Sequence, residues 1–161
     1  MNENIAYQKA IVLMERGFKH QMRGEFGNAI ELYESSILLH PTAEAHTRLG
    51  WTFGMMGRFE DAIESCEKAI ELDPGYGNPY NDIGSYLIEL GQLEEAVPWM
   101  EQALAAERYE TPQHALINLG RVNQRGGRYK TALDYYEEAL VRAPFDRTAL
   151  NLKYALIGRL N

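Results

Sequence analysis

Only one cysteine, Cys66, occurs in the 161 residues. A lone thiol excludes an intramolecular disulfide, a thiolate metal cluster and a CxxC redox pair, and it fits a reducing compartment. Long apolar runs are missing too: nowhere do about 18 apolar residues follow one another, as a membrane-spanning helix requires. The opening residues, MNENIAYQKAIVLMERGFKHQ, lack a basic segment followed by an uninterrupted apolar one, so no leader is read and a cytoplasmic location is expected. Positive charge is scarce, with 16 Lys and Arg against 23 Asp and Glu and a net charge of -7. Such a balance argues against a general nucleic-acid binder, which needs a basic face to displace counterions from phosphate.

Signatures of chemistry are equally sparse. No GxxxxGK[ST] loop is present, and no GxGxxG follows a strand, since no strand is predicted. His40 and His46 are six residues apart on different helices, which is no metal-binding spacing. His20 and His46 fall at packing positions, and His40 and His114 lie at helix ends. Cys66 occupies a large buried position, where a thiol is inert. The sequence therefore predicts no catalytic residue, no metal site and no cofactor. Acidic pairs such as Glu60-Asp61, Glu94-Glu95 and Glu137-Glu138 read as solvated outer faces.

What the chain has is repetition. GRFEDAIESCEKAIELDP, at 57–74, opens with a glycine turn and continues as an amphipathic helix, and its pattern returns at 24–41, 91–108 and 127–144. A second helix precedes each copy. In that helix a glycine stands seven residues before the turn glycine: Gly17, Gly50, Gly84 and Gly120. Glycine inside a helix costs about 1 kcal/mol relative to alanine, so its recurrence at one register implies close helix contact. The matching small residues are Ala29, Ala62, Ala96 and Ala132. A second small column, Ser36, Ala69, Ala103 and Ala139, lets the following unit approach. Large residues fill the space between: Leu13, His46, Tyr80 and Leu116 on first helices, and Tyr33, Cys66, Met100 and Tyr136 on second helices.

These columns resemble the tetratricopeptide repeat, whose signature combines an aromatic residue, Leu-Gly, Tyr, Ala, Phe, Ala and Pro over about 34 residues. The second unit carries His46, Leu49-Gly50, Phe53, Ala62, Cys66, Ala69 and Pro74; the third carries Tyr80, Ile83-Gly84, Leu87, Ala96, Met100 and Ala103. The fourth carries Leu116, Leu119-Gly120, Asn123, Ala132, Tyr136, Ala139 and Pro144. In the first, Arg16 precedes Gly17 and His20 replaces the tyrosine. The resemblance implies an all-α, right-handed superhelical stack of antiparallel helix pairs. A single domain over 1–161 is expected, with repeats near 10–42, 43–76, 77–112 and 113–146 and a capping helix at 147–161.

The glycine column advances by 33, 34 and then 36 residues. The extra length lies around Arg108–Pro112, where Arg108 stands in place of a closing proline. Either the preceding helix runs on or the connector bulges, with Thr111 as N-cap and Pro112 as first helical residue. Pro98 is placed in the first turn or so of its helix. Asp146 is read as the N-cap of the last helix, whose Leu150, Tyr154 and Ile157 would cover the fourth repeat. Leu152, Leu156 and Leu160 then form an adjoining stripe beyond what a cap needs, a hint of homo-oligomerisation. Residues 2–9 extend the first helix, with Ile5 adding an apolar contact.

The resemblance implies that partners lie along the concave wall of first helices. The faces opposite the packing columns assign to that wall Met14, Phe18 and Met22, then Thr47, Arg48, Trp51 and Met55. Asn78, Asn81, Asp82, Ser85 and Glu89 follow, then His114, Asn118, Arg121 and Arg125, and finally Asn151. Its N-terminal half is apolar and adaptable. Its other half offers carboxamides, which both donate and accept for an extended backbone, and two arginines suited to a carboxylate. The expected function is non-catalytic scaffolding: a protein or peptide segment docks near Phe18, Trp51 and Met55, is held by Asn81, Asn118 and Asn151, and places an acidic group or C-terminus near Arg121 and Arg125. Two blander readings stand beside it: Trp51 packs on the chain's own first helix, or the arginines pair with Asp82 and Glu89. The other functional alternative is a self-assembling structural protein joined through terminal helices. A clamp for acidic chaperone tails is not expected, because its positions hold Met14, Phe18, Arg48, Asn78 and Asp82, and a shift by one repeat gives Thr47, Trp51, Asp82, His114 and Asn118.

Overall fold

The computed structural model describes residues 2–161, which form nine α-helices. They run α1 (Glu3–Met22), α2 (Phe26–Leu39), α3 (Ala43–Met55), α4 (Phe59–Leu72), α5 (Asn78–Glu89), α6 (Leu93–Ala105), α7 (Pro112–Arg125), α8 (Tyr129–Arg142) and α9 (Arg147–Leu160). Each odd helix from α1 to α7 packs most extensively on the even helix that follows it. Among the described residues the odd helices also touch one another, α1 to α3, α3 to α5 and α5 to α7, whereas no even pair makes comparable contact. The stack is therefore closed up on the odd side and splayed on the even side, and the odd helices form its inner wall.

The two glycine columns do different work. Gly24, Gly57, Gly91 and Gly127 turn the chain within each pair at φ of 76°, 73°, 78° and 75°, a conformation that disfavours any Cβ. The helical column is about proximity instead. A Cβ on Gly84 would lie 2.7 Å from Met100 Cγ and 3.3 Å from the Ala96 carbonyl oxygen. The expected partners of that column are in place: Ala29, Ala62, Ala96 and Ala132 are all fully buried. Ser36 of the second small column is buried as well and donates its hydroxyl to the Ala10 carbonyl at 2.7 Å.

The irregular step resolves as a bulged connector. α6 ends at Ala105, and α7 begins at Pro112 behind Thr111, whose side chain makes no capping bond. The connector lies beside the one before α5: the Gly77 amide donates to the Arg108 carbonyl at 2.8 Å, and the Arg108 amide donates to Gly75 at 2.9 Å. Arg108 Nη2 meets Asp73 at 2.8 Å and Glu44 at 3.0 Å, and its guanidinium covers the Tyr76 ring at 4.1 Å. The residue that replaces the proline thus fastens two connectors and α3 together.

Three expectations need correction. Pro98 is the sixth residue of α6, beyond the first turn, and is tolerated because it and Glu94, whose carbonyl it leaves without an amide, both face solvent. In α9, which Asp146 caps through the Ala149 amide at 2.9 Å, the inward residues are Ala149, Leu152 and Leu156. Leu156 is 1% exposed, whereas Tyr154 is 63% exposed. The stripe read as surplus is largely the cap itself, so the argument for self-association through Leu152 and Leu156 falls. Ile5, finally, is half exposed rather than packed.

Candidate functional site: the inner wall

Two adjoining cavities open on the inner wall, and Trp51 and Asp82 line both. The larger, about 510 Å³, is bounded by Phe18, Arg48 and Trp51 on one side, by Asn78, Asn81 and His114 along the wall, and by Tyr76, Tyr109, Glu110 and Thr111 from the two connectors. The smaller, about 390 Å³, lies between α3 and α5 and is lined by Met55, Phe59, Ser85, Tyr86 and Glu89.

The aromatic end is built on a tilted ring pair. Phe18 and Trp51 have ring centroids 6.3 Å apart, and the Arg48 guanidinium sits 4.9 Å from the Phe18 centroid while donating to Glu15 at 2.9 Å. Trp51 does touch α1 through Phe18, yet it stays 43% exposed. Contact with the chain's own helix orients the ring without covering it. Met55, also exposed, accepts a weak bond on its sulfur from Gln21 at 3.6 Å. Gln21 is itself fixed by the Tyr33 hydroxyl, which donates to it at 2.6 Å in the core.

Met14 is the clear misassignment. It is 5% exposed and packs with Ala29, Tyr33, Ala45 and Leu49. The equivalent positions Thr47, Asn81 and Ile117 are also buried, because this register faces the neighbouring odd helix rather than the hollow. Thr47 and Asn81 still reach the larger cavity as its floor.

The carboxamides are partly spoken for. Asn118 donates to Asn81 at 3.1 Å, and Arg121 donates to Asn118 at 3.3 Å. Arg125 donates to the Ile88 carbonyl at 3.2 Å. Among the described residues neither arginine forms an ion pair with Asp82 or Glu89, and neither lines either cavity; both are exposed. Asn151 is exposed on α9 and lines neither cavity.

Asp82 is electrostatically the most unusual group of the wall. Burial pushes its carboxyl up to about 7, and among the described residues no cation or hydrogen bond offsets that cost. Cys66 is fully buried, and burial holds its thiol well above the ordinary range, so it is no nucleophile. His46 is likewise desolvated, with its basicity lowered by burial and its Nδ1 unpartnered. Among the described residues no helix is long and apolar enough to cross a membrane.

Sequence patterning missed the contribution of the connectors, because it assigned the wall to first helices alone. The signal was available in the 36-residue step, which marks where Tyr109, Glu110 and Thr111 leave the helical path.

Models of the tetratricopeptide repeat match residues 43–76 and 75–143. The chain belongs to the tetratricopeptide repeat family. Members of this family work in protein–protein interaction and are typically non-catalytic. This tetratricopeptide chain is 38% identical over 121 residues to outer dynein arm-docking complex subunit 4 of Homo sapiens, covering 64% of this chain and 18% of that protein. It spans about a quarter or less of the length of the curated relatives it matches. Among solved structures, MamA superposes with a TM-score of 0.70 at 27% identity, covering 94% of this chain and 84% of that one. The first tetratricopeptide domain of Spaghetti (RPAP3), bound to the HSP90 peptide SRMEEVD, superposes with a TM-score of 0.68 at 27% identity, covering 74% of this chain and 97% of that one.

Proposed function

We propose that this chain is a scaffold that holds a segment of a partner protein along its inner wall. The observation that carries the reading is Trp51, a large ring left 43% exposed at the junction of two cavities although Phe18 is there to cover it. Apolar side chains of the partner dock against Phe18, Trp51 and Met55, where water is released at little cost in reorganisation. Polar groups of the floor, Asn78 and Asn81, hold the segment's backbone, and an acidic group or C-terminus meets Arg121 and Arg125 at the far end.

The Spaghetti domain holds an HSP90 peptide, which supports a peptide ligand for a domain of this shape. Against a chaperone tail stand the burial of Met14, the engagement of Arg48 by Glu15 and the Asn78 and Asp82 that follow; in its favour stands the HSP90 peptide held by both Spaghetti domains. The test is affinity enrichment from native lysate with the wild type, Trp51→Ala and an outer-face control, Leu38→Ala. Partners lost with the first variant and kept with the second support the reading; partners equally retained by both variants overturn it.

A further inference from the structure

The two cavities of the inner wall are lined by more acidic than basic side chains. Asp82 lines both cavities, Glu110 lies on one and Glu89 on the other. Within the larger cavity Asn78 Oδ1 is buried without a hydrogen-bond partner. Among the described residues the only arginine lining either cavity, Arg48, is already held by Glu15 and the face of Phe18. An unpaired carboxylate beside aromatic faces, with spare acceptors around it, lacks one thing: a cation rich in N–H groups.

We infer that the junction between the two cavities takes a basic side chain of the partner, lysine or arginine, with its charged head on Asp82 and its aliphatic stem along the Trp51 ring. Ammonium and guanidinium supply three and five donors respectively and no acceptor, which matches the surplus. A charge-assisted bond to a partly desolvated carboxylate is among the stronger polar contacts, and a cation near an indole face gains from the ring quadrupole. The stem covers apolar surface that the head alone would leave wet. Burial alone raises the Asp82 carboxyl in the free chain. This inference rests on the groove reading given above.

The experiment is selection from a random dodecapeptide library displayed on phage, with the full chain as bait, followed by calorimetric titration of the best synthetic peptide. Wild-type selections are expected to share one Lys or Arg position flanked by apolar residues. Replacing that residue by norleucine weakens binding about tenfold, and Asp82→Asn weakens the original peptide by a similar factor while leaving the norleucine peptide unchanged, the signature of direct coupling. Apolar peptides selected without a basic preference, or additive effects of the two changes, overturn the inference and leave the groove intact. No enrichment over an unrelated bait, or the same binders recovered with Trp51→Ala, overturns both. Circular dichroism on Asp82→Asn confirms that the comparison is between folded chains.

Discussion

The carbonyl of Arg108 accepts the Gly77 amide at 2.8 Å, so the connector after α6 and the connector before α5 lie against each other as backbone. Nothing with a side chain fits at position 77. A Cβ there would stand 2.6 Å from Tyr109 Cβ and 3.0 Å from the Ala103 carbonyl oxygen. Gly77→Ala is therefore expected to destabilise the fold by about 1–3 kcal/mol, the usual range for forced overpacking. Urea unfolding followed by circular dichroism measures it; an unchanged midpoint would show that the two connectors slide apart freely.

Gly84→Leu should be worse, because a whole leucine side chain must be fitted where a Cβ alone already stands 2.7 Å from Met100 Cγ in the middle of the core. Gly158→Ala supplies the opposite case within the same protein. Among the described residues, apart from its chain neighbours and the nearby backbone of its own helix, no atom lies within 4 Å of a Cβ at that position in α9, so the helix gains up to about 1 kcal/mol from propensity alone. Thermal melts that ranked the two variants in the reverse order would refute the proximity argument.

Asp82 gives a pH dependence with a definite sign. Its folded value, about 7, lies above the ordinary 3.8, so the folded chain holds the proton more tightly than the unfolded chain does. The stability this contributes is complete below pH 3.8 and is lost as pH rises through about 7. Asp82→Asn removes the loss. At pH 8 the variant should exceed the wild type by about 2–4 kcal/mol, each pKa unit being worth about 1.4 kcal/mol, and the margin should shrink steadily toward pH 5. Parallel stability curves for the two proteins between pH 5 and 8 would show that Asp82 is solvated.

Leu156→Glu places a carboxylate where the side chain is 1% exposed against Ala132 and Tyr136. The expected result is fraying of α9 and a loss of about 2–5 kcal/mol, comparable to removing a core leucine. Light scattering should show no gain of a smaller species. Dissociation of an assembly with the fold intact would restore the stripe as an interface.

The sequence carried the stack well because its evidence was periodic. Small residues recurring at fixed intervals on two helices report a distance between backbones, and Gly84 against Ala96 and Met100 realises that distance. The inner wall was less legible. Whether the Met14 register meets the hollow or the neighbouring odd helix depends on how far adjacent odd helices rotate, a tertiary quantity with no one-dimensional trace. Leu152 and Tyr154 in α9 pose the same problem: either leaves a helical stripe intact, and only docking on α8 selects Leu152. Arg108 was noticed as a missing proline, but its reach to Asp73 and Glu44 depends on two connectors 35 residues apart meeting in space.

The lengthened connector has one more effect. By carrying Tyr109, Glu110 and Thr111 to the edge of the larger cavity, it interrupts what a strictly periodic array would leave as an open trough. A strand laid in an open trough can slip by one unit at no loss, since each unit offers the same grip. On the proposed groove reading, the irregular link acts as a doorstop and gives a bound segment one seat rather than a ladder of equivalent ones.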